Sequence, residues 1–331
     1  MIRNPRLAAP KLWSTRGPAA RLWLPLSWVY VALVRVRRAC YAGGICRVVR
    51  FQKPVVVVGS IAVGGCGKTP LVMCVARLLA SHGYKPGIAS RGYGGRPSRV
   101  PLIVDRDTPV DECGDEPAMM SRNLELPIVV DPDRPRAVET LISKLGCEVV
   151  ISDDGLQHYA MDRRVEIASI GDGRCLGNGY CLPAGPLREP RSRLREVDMV
   201  VYSGGPGYPG GYSMQTGLGA LKSLAGNQVR SIGDLRSAQK VHAVAGTGNP
   251  EGFFSMLEDL GLVVETHPFP DHHPYAKRDF AGMEGGPIVM TEKDAVKCSG
   301  ISLDDAWYAP LEASLDESFE HKLIESLKPY D

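Results

Sequence analysis

Residues 55–69 constrain this chain more than any other stretch. Val55 to Val58 are four β-branched residues behind Pro54, the pattern of a strand buried on both faces of a parallel sheet. Gly59-Ser60-Ile61-Ala62-Val63-Gly64-Gly65-Cys66-Gly67-Lys68-Thr69-Pro70 follows, and then LVMCVARLLASHG, with helical apolar spacing and Gly83 as a stop. Strand, glycine-rich turn, Gly-Lys-Thr and helix together are the setting of a phosphate-binding loop. Its glycines let successive backbone N–H groups, from Ala62 through Val63, Gly64, Gly65, Cys66 and Gly67, turn inward on phosphate oxygens. The helix N-terminus adds partial positive charge. Lys68 is then the contact to the β/γ-phosphates of ATP, and the Thr69 hydroxyl a ligand of Mg²⁺. A strict G-x-x-x-x-G-K-[ST] spacing asks for Gly at position 62, where this chain has Ala62. Pro70 is tolerated because a first-turn N–H has no intrahelical partner.

A second piece fits the same chemistry. Glu148 to Gly155 reads as an apolar strand ending in Asp153 and Asp154, and strand-end carboxylates hold Mg²⁺ in P-loop proteins. Gly114-Asp115-Glu116-Pro117 puts two more carboxylates at the start of a helix, where one can serve a metal and the other a proton. The plain alternative is N-terminal helix charge without chemistry. Ser90-Arg91-Gly92-Tyr93-Gly94-Gly95 reads as a strand end opening into a flexible loop, with Arg91 and Tyr93 available to a phosphate or a sugar. Pro270-Asp271-His272-His273-Pro274 is a polar knot late in the chain, in which an Asp–His pair can orient an imidazole.

The wider pattern alternates strands and helices. Strands are expected at 55–58, 86–89, 127–130, 148–152, 165–170, 197–202, 241–245 and 287–290. Helices are expected at 69–82, 116–123, 134–145, 251–260 and 321–327. This is an α/β chain with largely parallel sheets covered on both faces. A length of 331 residues suggests two domains, and 44% hydrophobic with 23% charged residues excludes a disordered chain and a multi-span membrane protein. The Gly-rich, weakly patterned stretch 203–240 is the best linker. The expected division is a basic head at 1–45, a P-loop domain at 46–205, a linker at 206–240 and a smaller α/β lid at 241–331. Nine cysteines without a C-x-x-C pair read as reduced thiols, neither a disulfide framework nor a cysteine zinc site.

The head is unlike the rest. Residues 1–53 carry eleven Lys/Arg and no Asp or Glu, leaving 28 basic against 37 acidic side chains in the body. Within the head, Leu22 to Val34 is uncharged for thirteen residues. As a helix it is about 20 Å long, too short for a bilayer core of about 30 Å. With Trp23, Trp28 and Tyr30 inside it and Arg16, Arg21, Arg35, Arg37 and Arg38 around it, it suits the plane of a membrane surface. A first helix packed on the core is the competing reading. A secretory signal is disfavoured by RVRRAC, which stands where a cleavage site belongs. The apolar middle of the head and the acidic body speak against nucleic acid, and no obligate protein partner is evident. Motifs alone leave room for a P-loop GTPase or ATPase switch, or for a nucleotide-binding membrane adaptor. The guanine-reading N-K-x-D of the former is absent.

Taken together, GSIAVGGCGKTP, SRGYGG, GDEP, SDDGLQHY, GNGYCLPAGPLREP, VAGTGNPEGFF, FPDHHPY and MTEKDAVKC resemble the tetraacyldisaccharide 4'-kinase family, in order from about residue 20 to about 300. That family does not require Gly at position 62. The resemblance implies two α/β/α sandwich domains, the first P-loop NTPase-like, joined by a small β linker and preceded by an interfacial helix. It implies transfer of the ATP γ-phosphate to the 4'-hydroxyl of an acylated glucosamine disaccharide 1-phosphate, giving lipid IVA, at the cytoplasmic face of the bacterial inner membrane. By motif, Asp115 resembles the catalytic base, with His272 as its partner and His273 as the neighbour that could replace it. Glu116, Asp153 and Asp154 resemble carboxylates associated with Mg²⁺, and Arg91, Tyr93 and Gln157 contacts to substrate.

Overall fold

The computed structural model describes residues 11–205 and 207–328, so the first ten residues of the basic head, residue 206 and the last three residues lie outside it. Two sheets organise the described residues. The larger has nine strands in the order Leu311–Leu315, Tyr212–Leu218, Met199–Tyr202, Val165–Ser169, Val55–Gly59, Val149–Asp153, Pro86–Ser90, Ile128–Val130 and Leu102–Val104. Its seven inner strands run parallel, and the first and last are antiparallel to their neighbours. The smaller has six strands in the order Val229–Arg230, Leu221–Ser223, Ala306–Ala309, Ile288–Thr291, Val241–Ala245 and Val264–Pro268.

All eight strands and all five helices expected from the pattern are present, with ends shifted by a few residues. The valine run explains itself by strand geometry, because successive side chains point to opposite faces. Val56 and Val58 pack with Leu71, Val75 and Leu79 of the Lys68–Ser81 helix. Val55 and Val57 pack on the other face with Ala137 and Leu141 of the Arg134–Ser143 helix. A strand covered on both faces has no polar residue to spare, hence the unbroken run. The Val55–Gly59 strand sits between Val149–Asp153 and Val165–Ser169, while the chain itself goes on to Pro86–Ser90. Such a reversal in strand order opens a crevice at the carboxyl ends, where α/β sheets bind ligands.

The expected division of the chain is crossed twice. The stretch 203–240 is not a free connector, because Tyr212–Leu218 belongs to the large sheet and Leu221–Ser223 and Val229–Arg230 to the small one. The last strand, Leu311–Leu315, then leaves the small sheet and pairs with Tyr212–Leu218. Behind it the Glu317–Leu327 helix starts at Asp316, whose carboxylate accepts the Phe319 N–H at 2.8 Å. Phe319, Leu323 and Leu327 recur every fourth residue and enter the core of the large sheet. The two units are therefore joined by two chain crossings. Cys66 and Cys175, 109 residues apart, are paired as a disulfide, where the sequence suggested reduced thiols throughout. Only the fold brings the two together, so spacing gave no sign of the pair.

In the head, the Leu24–Ala42 helix lies against the large-sheet unit. Ser27 Oγ donates to the Cys181 carbonyl at 2.8 Å, Tyr30 Oη to the Arg188 carbonyl at 3.0 Å, and Arg38 pairs with Glu196. The opposite side is bare. Leu22, Leu26, Val29, Leu33 and Val36, at alternating spacings of four and three, form an exposed apolar stripe beside Trp23 and Trp28. No helix among the described residues is long and apolar enough to cross a membrane.

Fully buried Phe319 tests the return of the chain to the large sheet. Phe319→Ala should destabilise the protein by about 3–5 kcal/mol in urea unfolding followed by tryptophan fluorescence. A cost under about 1 kcal/mol, the range of surface substitutions, would contradict this packing.

Candidate active site

The glycine-rich turn leaves the carboxyl end of Val55–Gly59 and closes into the Lys68–Ser81 helix through Gly67, whose φ of 73° suits a residue without Cβ. Its first part is anchored to its own protein. The Ala62 N–H reaches Ser60 Oγ at 3.1 Å, and the Val63 N–H donates to the Pro186 carbonyl at 2.9 Å. Those two amides therefore brace the turn, although the sequence counted them among the phosphate donors. Cys66 is buried and its N–H goes to the Gly64 carbonyl. Among the described residues the amides of Gly64, Gly65 and Gly67 have no backbone acceptor, and the first N–H groups of the helix have no intrahelical partner. Those of Lys68 and Thr69 complete this smaller cradle. Lys68 Nζ lies across it, 3.3 Å from the Gly64 carbonyl and 3.8 Å from Asp154 Oδ1.

Asp153 and Asp154 end the neighbouring Val149–Asp153 strand. Asp154, at φ 49°, turns one oxygen to Arg188 Nη1 at 2.9 Å and the other toward Lys68. Burial opposes its charge, but Lys68 and Arg188 more than offset that, and its acidity is strengthened. Asp153 goes the other way. Burial, then the nearby Glu116 and Asp154, push its pKa well above the usual carboxylate range. Ser90 Oγ donates to its Oδ2 at 3.0 Å, and the buried Arg134 guanidinium holds its backbone carbonyl at 2.8 Å. The remaining oxygens, Oδ1 of Asp153 and Oδ1 of Asp154, are buried without a hydrogen-bond partner. Two buried carboxylate oxygens without a hydrogen bond, one of them 3.8 Å from Lys68 Nζ, fit a hard cation that takes oxygen ligands.

A second cluster spans the two sheets. Gly114, at φ 89°, turns the chain into the Asp115–Asn123 helix, and a Cβ there would stand 2.6 Å from the Tyr93 carbonyl. Asp115 Oδ2 meets His272 Nδ1 at 2.9 Å. His272 comes from the turn after Val264–Pro268, in the small sheet, and its own φ is 60°. Asp271 Oδ2 stands 3.6 Å from its other ring nitrogen, and Tyr93 lies over the ring at 5.1 Å. His273 points away and bonds Asp279 at 3.1 Å, so the imidazole that faces Asp115 is that of His272.

Two lysines that sequence reasoning passed over complete this cluster. Lys297 Nζ is 2.7 Å from Asp294 and 3.9 Å from Asp115 Oδ2. Lys293 Nζ joins Asp271 at 3.0 Å to Glu116 at 3.7 Å. Burial works against the Asp115 carboxylate, but the His272 hydrogen bond and the Lys297 charge together bring its pKa below the ordinary value. Asp294 itself is fully buried and accepts from the Gly246 N–H at 2.8 Å, fixing the turn that brings Gly248 against Gly65 of the cradle.

The other expected contacts divide. Arg91 and Tyr93 are exposed at the rim and free to meet a ligand. Gln157 is engaged inward, with Ser60, Arg188 and Glu189, so it supports the turn and the Arg188 segment. Arg134, Arg188, Glu189, Lys293 and Lys297 gave no motif of their own. The Gly-Pro-Leu-Arg-Glu-Pro and Thr-Glu-Lys-Asp-Ala-Val-Lys blocks were the only sign of four of them.

The family model described as tetraacyldisaccharide-1-P 4'-kinase, LpxK, matches residues 19–328. The tetraacyldisaccharide 4'-kinase of Aromatoleum aromaticum is 45% identical over 337 residues, covering 99% of this chain and 98% of that protein. That of Methylobacillus flagellatus is 44% identical over 304 residues, covering 92% and 90%. The crystal structure of LpxK from Aquifex aeolicus, described as an "apo" form in complex with ATP, superposes with a TM-score of 0.78 at 28% identity, over 93% of this chain and 99% of that one. By its family model, its near full-length relatives and its fold, this chain belongs to the tetraacyldisaccharide 4'-kinase family.

Proposed function

We propose that this kinase of lipid A biosynthesis carries out its phosphoryl transfer with Asp115 as proton acceptor and His272 as the group that orients it, while the amides of Gly64, Gly65, Gly67, Lys68 and Thr69 and the Lys68 ammonium hold the ATP phosphates. The observation that carries this is the 2.9 Å contact between a carboxylate at the start of the Asp115–Asn123 helix and an imidazole from the turn after Val264–Pro268. A sugar hydroxyl is a weak nucleophile and must lose a proton as it attacks. Phosphoryl transfer asks for little covalent help, so alignment and charge neutralisation dominate. Asp115 Oδ2 is taken up by His272 and Lys297. That leaves Oδ1 for the 4'-hydroxyl proton of tetraacyldisaccharide 1-phosphate. Arg91 and Tyr93 at the rim suit the phosphate and sugar of that acceptor.

Asp153, Asp154, Glu116 and Thr69 are the residues that would hold Mg²⁺. Bound there, the ion supplies neutralisation of the phosphate oxygens. Oδ1 of Asp153 and Oδ1 of Asp154, both buried without a hydrogen bond, support this assignment. Arg188 keeps Asp154 charged and aimed at the cradle.

The acceptor carries acyl chains, so the site belongs beside a lipid surface. The exposed stripe from Leu22 to Val36, with Trp23 and Trp28, offers an apolar face to acyl chains, and Arg16, Arg21, Arg35 and Arg37 offer charge to anionic headgroups. We place the enzyme as a peripheral protein on the cytoplasmic face of the inner membrane.

Asp115→Ala should lower turnover by about 10²–10⁴-fold, the usual worth of a general base, while nucleotide binding is kept. Turnover near wild type would refute the assignment. Activity needs Asp115 as the carboxylate, so it falls as pH drops through the Asp115 pKa. Lys297→Met removes a nearby positive charge and should shift that acidic limb upward by about one pH unit, with Lys297→Arg restoring it. An unmoved limb in Lys297→Met would exclude Lys297 as an electrostatic partner of the base. Replacing Leu26, Val29 and Leu33 together with Ser should release the protein from anionic vesicles in a flotation assay and leave its folding intact. Undiminished flotation would rule out the stripe as the docking face.

A further inference from the structure

The far end of the small sheet holds a cluster that phosphoryl transfer does not use. His242 lies near the start of Val241–Ala245, and Glu265 and His267 lie on the neighbouring parallel strand Val264–Pro268. Glu265 is directly opposite His242, and His267 is two residues further on, on the same side of its strand. The three side chains converge. His242 Nδ1 is 3.1 Å from His267 Nε2 and 3.8 Å from Glu265 Oε2, and His267 Nε2 is 3.8 Å from Glu265 Oε1. His242 is fully buried, and its Nδ1 is the ring nitrogen that faces the other two side chains.

We propose that His242, Glu265 and His267 form a binding site for a divalent transition metal, of which Zn²⁺ fits best. Ligands about 2.0–2.1 Å from a tetrahedral ion are spaced roughly 3.4 Å apart, and one ligand atom from each of these side chains lies within 4.8 Å of the other two, so small side-chain rotations bring the three onto one face of such a tetrahedron. Two imidazoles and a carboxylate suit zinc, with water in the fourth position. Magnesium prefers oxygen, and nothing in this donor set resembles the Asp153–Asp154 pair. Lys240 Nζ, 2.7 Å from Glu265 Oε2, is the outer partner that fixes a ligating carboxylate, leaving Oε1 for the metal. It is the one group of this kind among the described residues.

The placement gives the ion a structural task. Val264–Pro268 is the edge strand of its sheet, held by Val241–Ala245 alone. It runs directly into the turn that presents His272, and the Phe269 N–H still pairs with the Ala245 carbonyl at 2.8 Å. A metal bridging His242 to Glu265 and His267 clips the edge strand to its neighbour and steadies that turn from behind. The site itself does not depend on the roles given to Asp115 and His272.

The test uses tag-free full-length protein stripped with chelator and equilibrated with Zn²⁺ under a large excess of Mg²⁺, which keeps the P-loop carboxylates from competing. Plasma mass spectrometry after desalting should count about one zinc per chain. His267→Ala and Glu265→Gln, both at partly exposed positions, should each bind zinc about tenfold more weakly or worse while keeping the wild-type circular dichroism. Cobalt(II) in place of zinc should give the strong visible bands of a tetrahedral site in wild type and lose them in the variants. If one variant fails to fold, the other and the cobalt spectrum of wild type decide. Zinc that wild type does not retain, zinc retained equally by folded variants, or a weak octahedral cobalt spectrum would overturn the proposal.

Discussion

A carboxylate on a helix of the large-sheet unit and an imidazole on a turn of the small-sheet unit meet at 2.9 Å, and much of the molecule serves to keep them there. Asp115 cannot be set correctly unless the small sheet is docked on the large one. Several contacts secure that docking. Lys293 ties Asp271 to Glu116, Lys297 ties Asp294 to Asp115, and Asn123 Nδ2 donates to Glu292 at 2.8 Å. The chain crosses between the units twice, which shortens the search for that arrangement and limits how far the units can part. The buried pairs, Lys297 with Asp294 and Asp115, contribute little net stability because desolvation offsets most of their attraction, and the partly exposed Lys293 bridges contribute little because solvent screens them. Their value is in orientation, because an unpaired member would be costly.

The same logic connects the head to the chemistry. The Leu24–Ala42 helix touches the body where Tyr30 donates to the Arg188 carbonyl, and the Arg188 side chain holds Asp154 beside Lys68. Glu189, next in sequence, is fully buried and gathers Gln157, Tyr159 and Arg193. The exposed apolar stripe of that helix therefore stands two side chains from the glycine-rich turn and Lys68. With the proposed seat on a lipid surface, an acceptor held there by its acyl chains would need only this short reach.

Much of this was legible in the sequence because the signals were local. The valine run, the glycine turn and the amphipathic helix behind it are written within thirty residues, and the structure keeps them nearly in place. Asp115 and His272 were readable as candidates only through their motifs, since nothing local says that residues 157 apart will touch. The strands at 212–218, 221–223, 264–268 and 311–315 lie at or next to sheet edges and mix polar with apolar residues, so no apolar run marks them, while 306–309 is apolar but only four residues long. The Cys66–Cys175 pair and the lysines beside Asp115 depend wholly on tertiary placement. Ala62 and Val63 show the reverse error, in which a motif assigns to ligand two amides that the fold uses for itself.

The most direct test of the account is a transfer assay with purified protein, ATP labelled at the γ-phosphate and tetraacyldisaccharide 1-phosphate in mixed micelles, followed by chromatography of the lipid. The account predicts label on the 4'-position of the disaccharide, dependent on both substrates. Release of labelled inorganic phosphate at the same rate with and without lipid, and no label on the lipid, would contradict it.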